Sequence, residues 1–235
     1  MAPEPVTAIV VAAGAGVRMG GGPPKALLRL GGRTLIEHSV AALAAGGVAR
    51  AVVVVPPDGM DDFAAELSRT DEPNLPIPCE LVAGGATRQE SVARGLAAID
   101  TLEPGCRVVI VHDAARPLVP PSVVARVIEA VTAGAKACAP VLPVPDSVRR
   151  LTASGSEVVD REPLRLVQTP QAFDRAALAA AHERLRQVGS SVTDDASAMA
   201  ALGFGVELVD GSPESMKITT PFDLTVATAI EAGRR

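Results

Sequence analysis

The sequence predicts an α/β fold, a doubly wound, mostly parallel sheet with a projecting β-hairpin arm. Three observations carry this. Strand-like and helix-like segments alternate from the N-terminus to about Val141, the pattern of a sheet with helices on both faces. Continuous apolar runs, Ala51–Val55 and Val108–Val111, mark strands buried on both faces. A glycine-rich loop, Ala12–Lys25, directly follows the first strand candidate, Thr7–Val11, where Rossmann-like sheets bind phosphate. With 235 residues, 48% of them hydrophobic, the chain suits a single domain, 1–235, from which 143–169 projects as an arm.

The elements follow in order. Thr34 caps a helix to about Ala45, and Glu37 completes a capping box; Gly46-Gly47 ends it. Ala51–Val55 is a strand, Asp61–Ser68 a short helix, Arg69–Pro78 a polar connection and Glu80–Val82 a brief strand. Gly84–Val92 leads into a helix to about Ile99. Val108–Val111 is a strand ending in His112-Asp113; Pro121–Ala133 is a helix, with Pro121 in its first turn; Ala137–Val141 is a strand. The stretch 143–169 holds Pro143, Pro145, Pro163, Gly155 and β-branched pairs without helical periodicity. It reads as an extended hairpin that packs on a second copy of the chain, giving a homodimer. Helices return at Arg175–Val188 and Asp195–Leu202, a strand at Val206–Val209, and a last helix at Thr220-Pro221.

The Ala12–Lys25 loop fits neither familiar phosphate motif. Gly14 and Gly16 match the dinucleotide fingerprint, but Met19 occupies the third glycine position; Lys25 follows Pro24 and precedes Ala26, so there is no P-loop. Its glycines let main-chain N–H groups approach a ligand, and Arg18 and Lys25 point to an anionic one. The loop reads as an arc around a phosphate chain, against the alternative of a plain surface loop.

Composition excludes several classes. The net charge is −5, with no Trp or Tyr and only four Phe, which leaves no basic face or stacking platform for nucleic acid. Three scattered cysteines, Cys79, Cys106 and Cys138, argue for a reducing, cytoplasmic setting without disulfide or zinc. No signal peptide or membrane-length apolar run is expected.

Other candidates each have two readings. Asp113, at a strand's C-terminal end, either holds Mg²⁺ with substrate phosphates or caps a turn before Arg116-Pro117. Lys217 is either a phosphate-facing cation or a solvated lysine. Gly84-Gly85 with Ser91 either holds a ribose or base or is a helix entrance. Asp194-Asp195 reads as a helix-start pair complementing the N-terminal dipole. His38 and His182 need no role; His112 either orients Asp113 or fills space.

Seven motifs in order resemble one family: Ala12-Ala13-Gly14-x-Gly16-x-Arg18 with Lys25; Gly85-x-x-Arg88-x-x-Ser91-Val92; His112-Asp113-Ala114-Ala115-Arg116-Pro117; Asp160-Arg161-Glu162; Thr169-Pro170-Gln171; Thr193-Asp194-Asp195; and Lys217-Ile218-Thr219. The family is that of the 2-C-methyl-D-erythritol 4-phosphate cytidylyltransferases of non-mevalonate isoprenoid synthesis, and the likeness spans nearly the whole chain. The resemblance implies that the loop holds the CTP triphosphate, with Arg18, Lys25 and Lys217 as catalytic cations. It implies that Ala12, Ala13, Gly14, Gly16, Gly85 and Ser91 surround the nucleotide and that Asp113 binds Mg²⁺. Arg116 would line the alditol phosphate pocket, completed by Ser147 and Arg161 from the other subunit's arm. Two positions depart from the family: Ser147 stands where relatives often have Thr, and Glu214, a second metal candidate, where many have Asp.

The chemistry agrees. A phosphate monoester with a second pKa of about 6 is mostly dianionic at neutral pH and attacks without a general base. This accounts for the absence of a paired His and carboxylate in the motifs. A ribitol 5-phosphate cytidylyltransferase would share the nucleotide loop and differ in the alditol pocket. An inactive nucleotide-binding regulator is opposed by intact Arg18, Lys25, Asp113 and Lys217, and a nicotinamide-dependent dehydrogenase by the failed fingerprint.

Overall fold

The computed structural model describes residues 5–14, 24–68 and 75–234. Among them, the chain runs β1 (Val6–Val11), β2 (Arg29–Leu30), β3 (Arg33–Thr34), α1 (Leu35–Ala45), β4 (Arg50–Val55), α2 (Met60–Leu67), β5 (Cys79–Ala83), α3 (Arg88–Leu102), β6 (Val108–Asp113), α4 (Pro121–Thr132) and β7 (Ala137–Pro143). It continues through β8 (Val148–Thr152), β9 (Gly155–Val159), β10 (Arg165–Val167), β11 (Gln171–Asp174), α5 (Arg175–Gln187), α6 (Asp195–Ala201), β12 (Glu207–Asp210) and α7 (Pro221–Gly233).

Eight strands form the central sheet. β5, β4, β1 and β6 lie side by side and parallel; β11 joins β6 antiparallel, then β7 follows, which pairs with β10 antiparallel and with β12 parallel. The mostly parallel, doubly wound α/β sheet expected from the sequence is present. The valine runs are buried on both faces because helices cover both. Ala8, Val10, Val53 and Ile110 pack with α1 and α4, whereas Ile9, Val52, Val54 and Val111 pack with α3, α5 and α6. Adjacent strand residues point to opposite faces, so each run supplies both cores.

Helix starts follow local chemistry. Thr34 accepts from Glu37 N–H while Glu37 receives the Thr34 N–H at 2.6 Å, the expected capping box. Thr220 and Asp223 form a second box at α7. α3 starts earlier than expected: Thr87 caps it by accepting from Glu90 N–H, so Arg88 and Ser91 lie on the helix itself.

The segment after β7 departs further from expectation. β8 and β9 pair as an isolated antiparallel hairpin, with Gly155 at φ 146° opening β9 directly after the turn. Arg165–Val167 does not extend that hairpin. It folds back on β7, with Val167 opposite Val141. β11, not anticipated, inserts between β6 and β7, and the Thr169–Pro170 bond between β10 and β11 is cis. No described helix is long and apolar enough to cross a membrane.

Candidate active site

β1 leads to β4 on one side and has β6 on the other, so the strand order reverses between β1 and β6. Ligands of open α/β sheets bind beyond the C-terminal strand ends at such a point. A cavity of about 350 Å³ lies there, lined by Val11–Gly14 after β1, Lys25-Ala26, Gly85–Arg88 and Ser91 after β5, Asp113–Ala115 at the end of β6, and Lys217. A second cavity of about 250 Å³ adjoins it, lined by Arg116, Val167–Thr169, Gln171, Thr193 and Asp194. Arg88, Asp113 and Lys217 line both.

Main-chain hydrogen bonds fix the walls. Ala12 N–H donates to Val54 O at 2.8 Å, and Ala114 N–H to Val11 O at 3.1 Å. The β5–α3 loop is held from beneath: Gly85 N–H donates to Ser91 Oγ at 3.1 Å, Ser91 Oγ donates to Thr87 O at 2.9 Å, and Arg94 donates to Gly84 O at 2.8 Å. A side chain at Gly84 would put its Cβ 2.8 Å from Ala13 Cβ. Glycine is therefore required where this loop closes on β1.

Lys217 reaches the site through a staple. Ile218 N–H donates to Ala115 O at 2.8 Å, and Arg116 donates to Ser215 O at 2.7 Å. These bonds hold 215–218 against the loop after β6 and bring Lys217 Nζ to 2.7 Å from Asp113 Oδ2. Asp113 is buried, which raises its pKa, but Lys217 and Arg88 outweigh burial and lower it to about 2. Its N–H donates to Thr169 Oγ1 at 3.0 Å. His112, on the same strand, is fully buried; burial lowers its pKa to about 4. It meets Thr169 Oγ1 through Nδ1 at 3.3 Å.

The structure thus brings together Ala12, Ala13, Gly14, Lys25, Gly85, Ser91, Asp113 and Lys217 at one cavity and Arg116 at its neighbour. Gly16 and Arg18 lie outside the described residues. Ser147 and Arg161 are exposed on the arm and line neither cavity; Arg161 donates to Pro145 O. Glu214 lines neither cavity, and its carboxylate pairs with Arg234. Sequence reasoning missed Arg88 as a site residue, although it stands within a quoted motif. It also read Asp194-Asp195 as helix-start acids only. Asp194 does cap α6, accepting from Ser197 N–H, yet it also lines the second cavity beside Thr193. The only available signal was the Thr193-Asp194-Asp195 motif itself.

The family model of IspD, 2-C-methyl-D-erythritol 4-phosphate cytidylyltransferase, matches residues 6–232. The chain belongs to this family. Cytidylyltransferases so named from Streptomyces coelicolor and Saccharopolyspora erythraea are 45% and 43% identical to it, over 99% and 97% of this chain and 87% and 99% of theirs. A crystal structure of the cytidylyltransferase from Thermus thermophilus superposes with a TM-score of 0.78 at 40% identity, covering 97% of this chain and 99% of that one. The synthase of Anaerococcus prevotii gives 0.81 at 26%, over 97% and 96%. As a member of the cytidylyltransferase family the protein is a nucleotidyltransferase, and the cavity at the β1–β6 reversal is its candidate nucleotide site.

Proposed function

We propose that the chain transfers the cytidylyl group of CTP to 2-C-methyl-D-erythritol 4-phosphate by direct in-line attack. A phosphate oxygen of the alditol forms a bond to the α-phosphorus of CTP, the bond from that phosphorus to the β-phosphate bridging oxygen breaks, and pyrophosphate leaves with the electron pair. The observation that carries this reading is the sharing of Arg88, Asp113 and Lys217 by two adjoining cavities. One cavity would hold the nucleotide and the other the alditol phosphate, with the reaction at their common wall.

The chain's own groups do the positioning. Gly14, Gly85 and Ser91, beside Ala12 and Ala13, form a small-residue wall suited to cytidine. Lys25 and Arg18 neutralise the triphosphate, Lys217 faces it from the opposite side, and Arg116 faces the alditol phosphate. Catalysis then consists of orienting two anions and screening their repulsion.

Mg²⁺ fits this donor set. Asp113 supplies one hard oxygen ligand at the cavity wall, and the described residues contain no group of three or more His, Cys, Asp or Glu that would form an all-protein cage. One carboxylate completed by substrate phosphates is the usual arrangement for this ion, which would stabilise negative charge on the phosphates.

The arm reading includes a second copy of the chain. Leu151 and Val158, on the isolated hairpin, are 85% and 72% exposed, which supports burial against a partner subunit. In that dimer Ser147 and Arg161 would reach the other subunit's alditol phosphate.

Pyrophosphate release from CTP tests the reading, with methylerythritol phosphate, with ribitol 5-phosphate, and with neither. Release dependent on methylerythritol phosphate is expected. Preference for ribitol 5-phosphate would transfer the assignment to that alditol, and release no faster than from a loop variant would reject catalysis.

A further inference from the structure

Arg88 faces the cavities with one side of its guanidinium and a buried charge line with the other. Nη1 donates to Asp195 Oδ2 at 2.6 Å, whereas Nη2 stands 3.6 Å from Asp113 Oδ1, beyond hydrogen-bond reach. Asp195 is 1% exposed and lines neither cavity of the site. Its other oxygen, Oδ1, meets His182 Nε2 at 2.9 Å. An ionised carboxylate only accepts hydrogen bonds, so Nε2 carries the proton and donates. The line therefore runs from Lys217 through Asp113, Arg88 and Asp195 to His182, drawing on β6, α3, α6 and α5.

The distances divide the Asp113 carboxylate. Oδ2 is hydrogen-bonded by Lys217, whereas Oδ1 has Arg88 only as an ion pair at 3.6 Å, without a hydrogen bond. A guanidinium fork matches a carboxylate through two parallel hydrogen bonds. Released from Asp195, Arg88 would turn to Asp113 and close that oxygen.

We propose that Asp195 is a positioning residue for nucleotidyl transfer: it holds Arg88 off Asp113, keeping one Asp113 oxygen open to the divalent cation that arrives with the triphosphate. His182 in turn fixes Asp195. The inference rests on the proposed role of Asp113, and the test separates the two.

Mn²⁺ serves as the probe, its free concentration read by electron paramagnetic resonance in the presence of saturating CTP and no alditol phosphate. Asp195→Asn, checked for folding by circular dichroism, should bind Mn²⁺ about 10-fold more weakly, the usual scale for loss of an outer partner of a metal site. Adding Arg88→Ala should remove the competing guanidinium and return the affinity to that of Arg88→Ala alone. His182→Gln retains a donor to Asp195 and should hold Mn²⁺ better than His182→Leu, which gives a readout even where Asp195→Asn fails to fold. Unchanged Mn²⁺ affinity in folded Asp195→Asn or His182→Leu overturns the proposal, as does a loss that Arg88→Ala does not suppress. If Asp113→Asn binds Mn²⁺ as wild type does, the assignment of the metal to Asp113 fails instead.

Discussion

Lys217 Nζ lies 2.7 Å from Asp113 Oδ2, across 104 residues of sequence. The pair spans the wall shared by the two cavities, so each partner conditions the other. With Asp113 present, the Lys217 ammonium is held at the wall shared by the two cavities instead of wandering in solvent.

Removing the carboxylate therefore has two effects at once. Asp113→Asn should lose the proposed metal ligand and free Lys217, lowering kcat by an amount worth about 3 kcal/mol or more. Steady-state kinetics at ordinary Mg²⁺ check this, with circular dichroism confirming the fold. Near-normal turnover would leave Asp113 as a structural partner of Lys217 alone.

The loop cations separate binding from chemistry. Lys25 lines the larger cavity, the proposed nucleotide site, and Arg18 belongs to the same loop by sequence. Lys25→Ala and Arg18→Ala should each lower kcat strongly, because charge develops on the α-phosphate in the transition state. A variant that raises only KM for CTP would show that its cation serves ground-state binding.

Gly84→Ala tests the loop that closes on β1. The added Cβ would sit 2.8 Å from Ala13 Cβ, 3.0 Å from Ser91 Oγ and 3.1 Å from Val55 O. Relief requires the loop to move away from β1, with a stability loss of about 1–3 kcal/mol, as for other overpacked sites. Thermal unfolding reads the stability loss, and a raised KM for CTP is expected from the displaced loop. A stability loss with unchanged KM would remove this loop from the nucleotide wall.

The pH profile should follow the substrate. Asp113 has a pKa of about 2 and His112 of about 4, so neither changes charge near neutrality. The acid limb of kcat/KM should fall near pH 6, where the alditol phosphate gains its second proton, and should move when a phosphonate of different pKa replaces it. Asp113 shows itself at much lower pH. Its folded pKa lies below the ordinary 3.8, so its contribution to stability is complete above that value and is lost as pH falls toward 2. A limb that stays fixed with the phosphonate would point to an enzyme group.

The arm is tested by complementation. Arg161→Lys should raise KM for methylerythritol phosphate while barely changing KM for CTP, since lysine cannot reproduce a two-bond phosphate contact. Arg161→Ala and Asp113→Asn, each nearly inactive alone, should recover about a quarter of full activity when mixed equally under subunit exchange. Random pairing in a twofold dimer gives that fraction. No recovery despite demonstrated exchange would exclude a site shared between subunits.

The sequence by itself determined most of the elements and the residues at the β1 and β6 ends of the larger cavity. The valine runs became central strands because strands buried on both faces have no polar side to display. Thr34 with Glu37 and Thr220 with Asp223 form their helix starts from local hydrogen bonds. Ala12–Gly14 and Asp113 were legible because each directly follows or ends a recognisable strand. Tertiary structure alone decided what depends on remote partners. Arg165–Val167 reads as more arm until its antiparallel partner, Val141–Pro143, is in place. Glu214 reads as a second metal candidate, and only the fold shows Arg234 on its carboxylate. Asp195 reads as a helix-start acid until folding places Arg88 and His182 on its two oxygens, 107 and 13 residues away. Local patterns report backbone periodicity and capping, which act over a few residues, whereas the partner of a buried charge is chosen by which elements pack together.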